Sequence, residues 1–454
     1  MATARYITWA VTGICLACLG SRGLRAQNQS GGCTAAEVAK LAQRLEDLQQ
    51  QVNSLRREMA LVNQRESESS TPSAPAASTP AASTPANSVM ASSAVQSGAG
   101  PGRGGPSPAQ RLLGSTSLSG LVDGYYGYNF NQPRSRVSAF RAFDGPSNQF
   151  SLNLVELTLD KPPVAANSRL GYRIALGFGQ AVNVVNAAEP GGLGFAQYLK
   201  EAYFSYLAPV GTPGLQVDFG KFVTPHGAEV IETKDNWNYS RGLLFTYAVP
   251  FYHFGLRAKY VFSGKYALTG YLVNGWNNIV DNNTGKTVGV SFGWNPHKKF
   301  GLTQNYMVGP EQAGLNRNWR QLSDTVVTFS PTERLSFIVN YDYGRGDRLA
   351  EVSEPVSWAG WAGYLRYAFT DRNALALRYE WYSDPDGFTT GKAQQVKELT
   401  GTFERRVASH LITRLEFRRD YSNQPSFLKG DIPAGAQNTV SAGMTLTFDT
   451  REPD

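Results

Sequence analysis

Between residues 115 and 449, apolar and polar residues alternate along the chain in segments of about ten residues. In the segment 374–382, Leu377 lies on one side of an extended chain, and Arg378 and Glu380 lie on the other. Successive residues of a β-strand face opposite sides, so a strand of this kind has one apolar face and one face toward water. The range contains no stretch of helical periodicity. We therefore predict an all-β domain.

The alternating segments can be placed as sixteen strands. They are 118–130, 149–160, 169–178, 197–207, 214–222, 253–262, 265–274, 286–294, 300–308, 319–329, 334–343, 357–369, 374–383, 396–407, 410–420 and 437–448. The breaks between strands are alternately short and long, and the longest is 223–252. This alternation and the even strand number indicate a transmembrane antiparallel β-barrel, whereas a soluble β-sandwich gives no reason for it. Residues 241–248 could form a further strand, but we interpret them as part of the long third loop.

The last predicted strand carries a second signal of a membrane barrel. Residues 441–448 follow the pattern polar-x-Gly-x-x-apolar-x-aromatic, with Gly443, Leu446 and Phe448 at the fixed positions. We predict that these three residues form the signal that the outer-membrane barrel assembly machinery reads. Tyrosines near strand ends, such as Tyr367, agree with the aromatic girdles of such barrels.

Three segments of different character precede the barrel at 115–449. Residues 1–26 are predicted to be a signal peptide, because a basic residue is followed by an apolar stretch. Residues 33–65 are predicted to form a periplasmic coiled coil with an a/d seam, and an amphipathic helix packed on a globular domain is the alternative. Residues 66–114 are rich in Ser, Pro, Ala and Gly and are predicted to be a disordered linker. Cys33 could form an interchain disulfide or remain an unpaired thiol.

Composition excludes several other classes of protein. Hydrophobic residues make up 41% of the 454 residues and the mean hydropathy is −0.31, which excludes a bundle of transmembrane helices. The net charge of +7 is spread along the chain and does not form the basic patch that is typical of nucleic-acid-binding proteins. Three cysteines and four scattered histidines suggest neither a disulfide scaffold nor a metal site. A G-x-S-x-G match at 289–293 lies inside a predicted strand, without the helix that a nucleophile elbow requires. We expect no catalytic residue, metal or cofactor.

Sixteen strands enclose an aqueous channel, in which constrictions and wall charges set selectivity. By parity the lumen wall carries matched numbers of bases and acids, so the sequence does not decide between anions and cations. The wall residues that we single out are Arg257, Lys259, Arg366, Arg378, Arg414, Arg418, Glu380 and Glu416. We hypothesise that the third loop folds into the lumen and forms the constriction, and an ordinary exposed loop is an equal alternative. Its charged residues are Glu229, Glu232, Lys234, Asp235 and Arg241.

Several phrases of the chain resemble the bacterial outer-membrane family described as "putative β-barrel porin-2, OmpL-like". They are residues 118–126 (LSGLVDGYY), 201–206 (EAYFSY), 220–229 (GKFVTPHGAE), 238–241 (NYSR) and 274–276 (NGW). The resemblance covers most of 118–448 and leaves out the coiled coil and the linker. It implies an outer-membrane porin and supplies no substrate residues.

We therefore predict a porin of the bacterial outer membrane that allows passive diffusion of small hydrophilic solutes and ions. The strand number suggests a homotrimer in outer-membrane lipid, and the coiled coil could hold the protomers together or reach peptidoglycan. The alternative is a non-conducting outer-membrane barrel with a structural, adhesion or cell-wall-tethering role. An outer-membrane esterase that uses Ser291 and a soluble β-protein are further rivals.

Overall fold

The computed structural model describes residues 114–192, 194, 196–347 and 354–451. The predicted signal peptide, the predicted coiled coil and all but the last residue of the predicted linker lie outside this range. Among the described residues, no helix is long and apolar enough to cross a membrane.

Sixteen antiparallel strands form one closed barrel within the described residues. They are β1 (Ser117–Asn129), β2 (Gln149–Lys161), β3 (Leu170–Phe178), β4 (Leu199–Ala208), β5 (Leu215–Val223), β6 (Tyr252–Ser263), β7 (Tyr266–Val273), β8 (Thr287–His297), β9 (Phe300–Gly309), β10 (Arg320–Phe329), β11 (Leu335–Gly346), β12 (Val356–Ala368), β13 (Asn373–Asp384), β14 (Gln394–Ala408), β15 (Leu411–Ser422) and β18 (Ala436–Asp449). Each strand pairs with its neighbours in the chain, and β1 pairs with β18 to close the ring. The small hairpin of β16 (Phe427–Lys429) and β17 (Ile432–Ala434) stands outside the barrel sheet. The prediction of a sixteen-stranded barrel is confirmed.

The two faces of the strands have the predicted character. On β13, Arg378 and Glu380 point inward and are buried, whereas Leu377 points outward and is 42% exposed. The same alternation on β14 buries Thr402 and exposes Phe403. A barrel with an apolar outer face and a polar inner face is suited to lipid outside and to polar contents inside.

Short turns join the strands at the end of the barrel where β1 begins and β18 ends, and longer loops join them at the other end. We call these the turn end and the loop end. The loops used below are L1 (130–148), L2 (179–198), L3 (224–251), L4 (274–286), L5 (310–319), L7 (385–393) and L8 (423–435). L2 contains the short helix α1 (Gln180–Val185), and L3 contains a 3-10 turn (Thr233–Asp235) and a π-helix (Leu244–Ala248). Residues 241–248 therefore belong to a loop and form no strand.

A hydrophobic cluster fills the loop-end half of the barrel interior. L1 contributes Phe143, α1 contributes Val182 and L3 contributes Phe245, and all three side chains are buried with Trp358 of the wall. The Phe143 ring lies 5.6 Å from the Phe245 ring between centroids. Loops that bury apolar side chains here are held inside the barrel by the same hydrophobic effect that forms an ordinary core.

Candidate functional site

L3 leaves the wall after β5 and returns at β6, and its first part is bonded to strands β9, β10 and β11. Asn305 Nδ2 on β9 donates to the carbonyl oxygen of Pro225 at 2.9 Å. The amide nitrogen of Gly227 donates to Asp324 Oδ2 on β10 at 3.0 Å. The next amide, from Ala228, donates to Asn340 Oδ1 on β11 at 3.0 Å. Without these inward-facing acceptors, the two backbone N–H groups of L3 would be buried away from water with no hydrogen-bond partner.

The tip of L3 reaches β14, on the opposite side of the ring from β6, and also β1. Asn238 Nδ2 donates to Thr402 Oγ1 on β14 at 2.7 Å, and the Tyr239 hydroxyl donates to Asp123 Oδ1 on β1 at 3.0 Å. The hydroxyl of Thr233 also bonds Asp123. Since β6 and β14 lie half a ring apart, L3 crosses the whole lumen.

Three wall arginines bind the backbone of L3. Arg378 donates to the carbonyl oxygen of Ser240, and Arg418 donates to that of Arg241. Arg414 donates to the carbonyl oxygens of Thr233 and Asn236. The donor nitrogens and the acceptor oxygens are 2.6–2.8 Å apart in all four bonds. Each guanidinium also pairs with a wall carboxylate: Arg378 with Glu398 at 2.7 Å, Arg414 with Glu404 at 2.7 Å and Arg418 with Asp420 at 2.8 Å. Guanidinium donors in such charge-assisted bonds are directed by their planar geometry. These three predicted wall residues hold the loop.

Two wall carboxylates bind amide groups of the same loop. Glu416 accepts hydrogen bonds from the amide nitrogens of Tyr239 at 2.6 Å and Ser240 at 3.1 Å. Glu380 accepts one from the amide nitrogen of Leu243. L3 is thus bound by arginines through its carbonyl groups and by acids through its amide groups.

Glu229 is the one predicted loop acid that pairs with a wall arginine. Its Oε1 lies 2.6 Å from Arg378 Nη1, and its Oε2 accepts the amide hydrogen of Gly242 at 2.6 Å. Glu229 therefore ties the start of L3 both to β13 and to the far part of L3 itself. The ion pair is buried, so removing Arg378 would leave the Glu229 carboxylate inside the barrel without its cationic partner, whereas removing Glu229 would leave Arg378 paired with Glu398.

The other predicted loop residues have different environments. Glu232 pairs with Lys200 of β4, a base that the sequence reasoning did not single out. Lys234 and Asp235 pair with each other at 2.7 Å and remain exposed toward the turn end. Arg241 is buried and donates to carbonyl groups within L3, including that of Tyr239 at 2.7 Å. Arg241 therefore braces the loop and does not reach the wall.

The remaining predicted wall residues, Arg257, Lys259 and Arg366, lie nearer the turn end, and the two arginines pair with acids of the wall. Arg257 pairs with Asp218 at 2.8 Å, and Arg366 pairs with Glu404 at 3.1 Å. Their side chains are 21% and 27% exposed, and Lys259 is exposed as well. Water thus reaches the charged wall in the turn-end half of the lumen.

The predicted assembly residues divide between the two faces of β18. Leu446 and Phe448 point outward and are exposed, as lipid-facing side chains are. Gly443 points inward, and a Cβ atom there would overlap the ring of Tyr239 from L3. The glycine thus leaves the space in which the tip of L3 packs against the wall.

A chain of histidine and hydroxyl groups fixes the root of L3. Thr224 Oγ1 lies 3.2 Å from His226 Nδ1 and 3.1 Å from His253 Nε2 on β6, and His253 Nδ1 lies 3.0 Å from the carbonyl oxygen of Gly275. Burial, together with His253, holds the pKa of His226 well below its usual range, so this imidazole is neutral near pH 7.

Two cavities lie on opposite sides of L3. The inner cavity has a volume of about 290 Å³ and is lined by the L3 residues Glu232, Lys234 and Asp235 and by the ends of β1 and β18. The outer cavity has a volume of about 410 Å³ and is lined by Tyr247 of L3 together with residues of L1, L7 and L8. L3 therefore separates the interior into a turn-end and a loop-end compartment.

Sequence reasoning missed two polar wall partners of L3, Asp324 and Asn340. Asp324 and Asn340 occupy inward positions by parity, so they were detectable as wall residues, but no charge pattern assigns them to the loop. Asn340 Nδ2 donates to Asp324 Oδ1 at 2.7 Å, which orients both groups toward the L3 amides. Among the described residues, no group of three or more His, Cys, Asp or Glu could hold a metal ion.

A closed sixteen-stranded barrel with an apolar outside, a charged inside and a third loop across the lumen defines a porin-type protein. The chain belongs to the family described as "putative beta-barrel porin-2, OmpL-like", whose model matches residues 115–448. The resemblance seen in the sequence is confirmed. A search of curated proteins finds no match.

Solved structures with the same fold are distant in sequence. The anion-selective porin from Comamonas acidovorans is 10% identical with a TM-score of 0.51, over 74% of this chain and 99% of that one. The outer membrane channel DcaP of Acinetobacter baumannii is 13% identical with a TM-score of 0.50, over 73% and 97%. Likeness at this level of identity shows the fold alone.

Proposed function

We propose that the protein is an outer-membrane porin for small hydrophilic solutes and ions, with L3 as the element that sets the passage. The observation that carries the proposal is the crossing of the lumen by L3 between two cavities, with a water-accessible charged wall on the turn-end side. Family membership supports the porin class, and the apolar outer face supports a location in the outer membrane.

The constriction lies where Glu229, Arg378 and Glu416 hold L3 against the wall. Solutes pass this level either through narrow gaps beside the loop or after a displacement of L3. A small conductance follows from both routes, because the wall side chains at this level are buried against the loop. No catalytic group takes part in such a passage.

For the assembled protein we propose a homotrimer, joined through the barrels and through a periplasmic coiled coil at 33–65. The strand number of sixteen supports a trimer by analogy, and the seam of apolar residues supports association through the coiled coil. The signal peptide 1–26, the linker 66–114, contact with peptidoglycan and recognition of β18 by the assembly machinery belong to the same proposal.

The experiment is single-channel recording of the purified full-length protein in a planar bilayer under a salt gradient. We expect small, stable conductance steps, and the sign of the reversal potential gives the ion preference. A folded, heat-modifiable barrel that never conducts would contradict the porin proposal.

That outcome would favour the second candidate, a non-conducting outer-membrane barrel with a structural, adhesion or cell-wall-tethering role. Its supporting observation is the burial of the L3 residues Ser240, Arg241 and Leu243 inside the lumen. A loop packed this closely could also act as a permanent plug.

A further inference from the structure

The outer cavity has features of a ligand site that neither the fold nor the family accounts for. From its position and lining, we propose that it binds small ring-bearing carboxylate anions at the loop-end mouth. This inference rests on the proposed porin function and names a class of solute for it.

The first observation is an aromatic wall. Phe140 of L1 packs between Tyr247 of L3 and Phe427 of L8, with ring centroids 5.9 Å and 5.4 Å away. All three residues line the cavity. Its volume of about 410 Å³ lies within the range of about 300–1,000 Å³ that is usual for sites of small organic molecules. The flat, apolar lining suits a planar or alicyclic ring.

The second observation is that most polar side chains of the lining already bind one another. Gln394 Nε2 donates to Thr390 Oγ1 at 3.0 Å, and Gln394 Oε1 accepts from Ser426 Oγ at 2.6 Å. Thr390 Oγ1 in turn donates to Asp384 Oδ2 at 2.9 Å. A polyhydroxylated solute would need several free donors and acceptors, and these groups do not supply them.

The third observation is the charge of the groups that remain. Within the described residues, the Lys392 ammonium and the Tyr247 hydroxyl have no hydrogen-bond or ion-pair partner, and both residues line the cavity. No carboxylate is among the lining residues. A cationic donor and a hydroxyl donor are the kinds of group that bind a carboxylate.

The fourth observation is the place of the cavity in the barrel. Its lining comes from four loops, and Tyr247 belongs to the π-helix of L3, the loop that crosses the lumen. A ligand bound here therefore touches L3 directly. The site is placed to select solutes before they reach the constriction.

The test measures binding of 2-naphthoate to the full-length protein in detergent by fluorescence titration, with binding to empty micelles subtracted. The uncharged isostere 2-naphthamide and glucose are the comparison ligands. We expect saturable binding of 2-naphthoate, at least tenfold weaker binding of 2-naphthamide and no saturable binding of glucose. Absence of saturable naphthoate binding, or equal binding of the charged and uncharged rings, would overturn the proposal.

Substitutions of the two donor residues test whether 2-naphthoate binds in this cavity. Lys392→Gln and Tyr247→Phe should each weaken naphthoate binding at least fivefold, and each should weaken naphthamide binding less than naphthoate binding. Lys429→Gln is the matched control, because Lys429 is an exposed lysine of L8 outside the lining. Equal affinity of Lys392→Gln and the wild-type protein would place the anion elsewhere and overturn the assignment.

Conductance in potassium chloride separates this inference from the porin proposal. A protein that conducts but does not bind 2-naphthoate contradicts only the site. A protein that binds 2-naphthoate but never conducts contradicts only the porin function and leaves a ligand site on a closed barrel.

Discussion

Arg378 makes both kinds of contact that hold L3 in the lumen, an ion pair with a loop acid and a hydrogen bond to the loop backbone. It binds Glu398 of the wall, Glu229 of the loop and the carbonyl oxygen of Ser240. Parity alone predicts that Arg378 points inward, since the charged face of β13 alternates with an apolar face. The carbonyl acceptor was not predictable, because backbone groups have no sequence signature.

Replacing Arg378 by glutamine should loosen L3 and destabilise the barrel. Three buried carboxylates, Glu229, Glu380 and Glu398, would lose one of the positive charges beside them, and Arg418 would remain paired with Glu398 at 3.4 Å. The cost is about 3–5 kcal/mol in the free energy of unfolding. We expect a higher and noisier single-channel conductance. Arg366→Gln is the matched control, because Arg366 is part-exposed and Glu404 is its one ion-pair partner among the described residues. Equal effects of the two substitutions would show that Arg378 has no special role in holding L3.

Gly443 allows the assembly role and the packing role of β18 to be separated. A methyl group at this position would overlap the Tyr239 ring, so Gly443→Ala should displace the tip of L3 and raise the conductance. Adding Tyr239→Ala should remove the overlap and restore insertion of correctly folded barrel to the level of Tyr239→Ala alone. If the double variant assembles as poorly as Gly443→Ala, the glycine acts in assembly independently of Tyr239. Membrane yield and heat modifiability measure this difference.

Glu311 makes the contact between L4 and L5 depend on pH. Its carboxyl accepts hydrogen bonds from Thr287 Oγ1 at 2.6 Å and from the amide of Trp276 at 2.8 Å, and burial raises its pKa to about 7. The folded state therefore favours the protonated acid. The stabilisation that the protonated Glu311 side chain provides is fully present below about pH 4.5 and is lost as the pH rises through 7.

In the wild-type protein, the midpoint temperature of thermal unfolding should decrease as the pH is raised from 5 to 8. The decrease corresponds to a loss of up to about 3 kcal/mol in the free energy of unfolding. Glu311→Gln keeps the shape and cannot ionise, so its midpoint should change less over this range. A pH dependence of equal size in both proteins would assign the effect to other groups.

At the scale of elements, the strands were predictable and the position of L3 was not. The strands have period two because lipid and lumen impose it, and each predicted segment overlaps an observed strand. L3 has no such period. Its place in the lumen depends on partners far away in the chain, such as Asp324, which is 97 residues from Gly227, and Arg378, which is 149 residues from Glu229.

Because many backbone amides of L3 are hydrogen-bonded, we predict that they exchange with solvent more slowly than those of an ordinary exposed loop. The amide groups of Gly227, Ala228, Tyr239, Gly242 and Leu243 all donate to wall or loop side chains. We expect peptides covering 227–243 to exchange at least about 100-fold more slowly than those of L8 in the same protein. Equal exchange in L3 and L8 would mean that L3 is not held in the lumen.

At the scale of the whole molecule, the structure describes a barrel whose interior the third loop divides. The sequence predicted the class of protein from its alternation, because that pattern follows from the solvent on each side of the wall. It left a constricting loop and an exposed loop as equal alternatives, since charge composition alone does not locate a loop. The coiled coil and the linker remain predictions from periodicity and composition.

The central claim is that L3 limits passage through the barrel. The most direct test compares the single-channel conductance of the full-length protein with that of a variant lacking 227–238, in the same bilayer and salt. This deletion removes the contacts of Glu229 and Thr233 and retains all barrel strands. We predict a several-fold larger conductance for a deletion variant that still shows heat-modifiable folding. An unchanged conductance in that folded variant would contradict the claim.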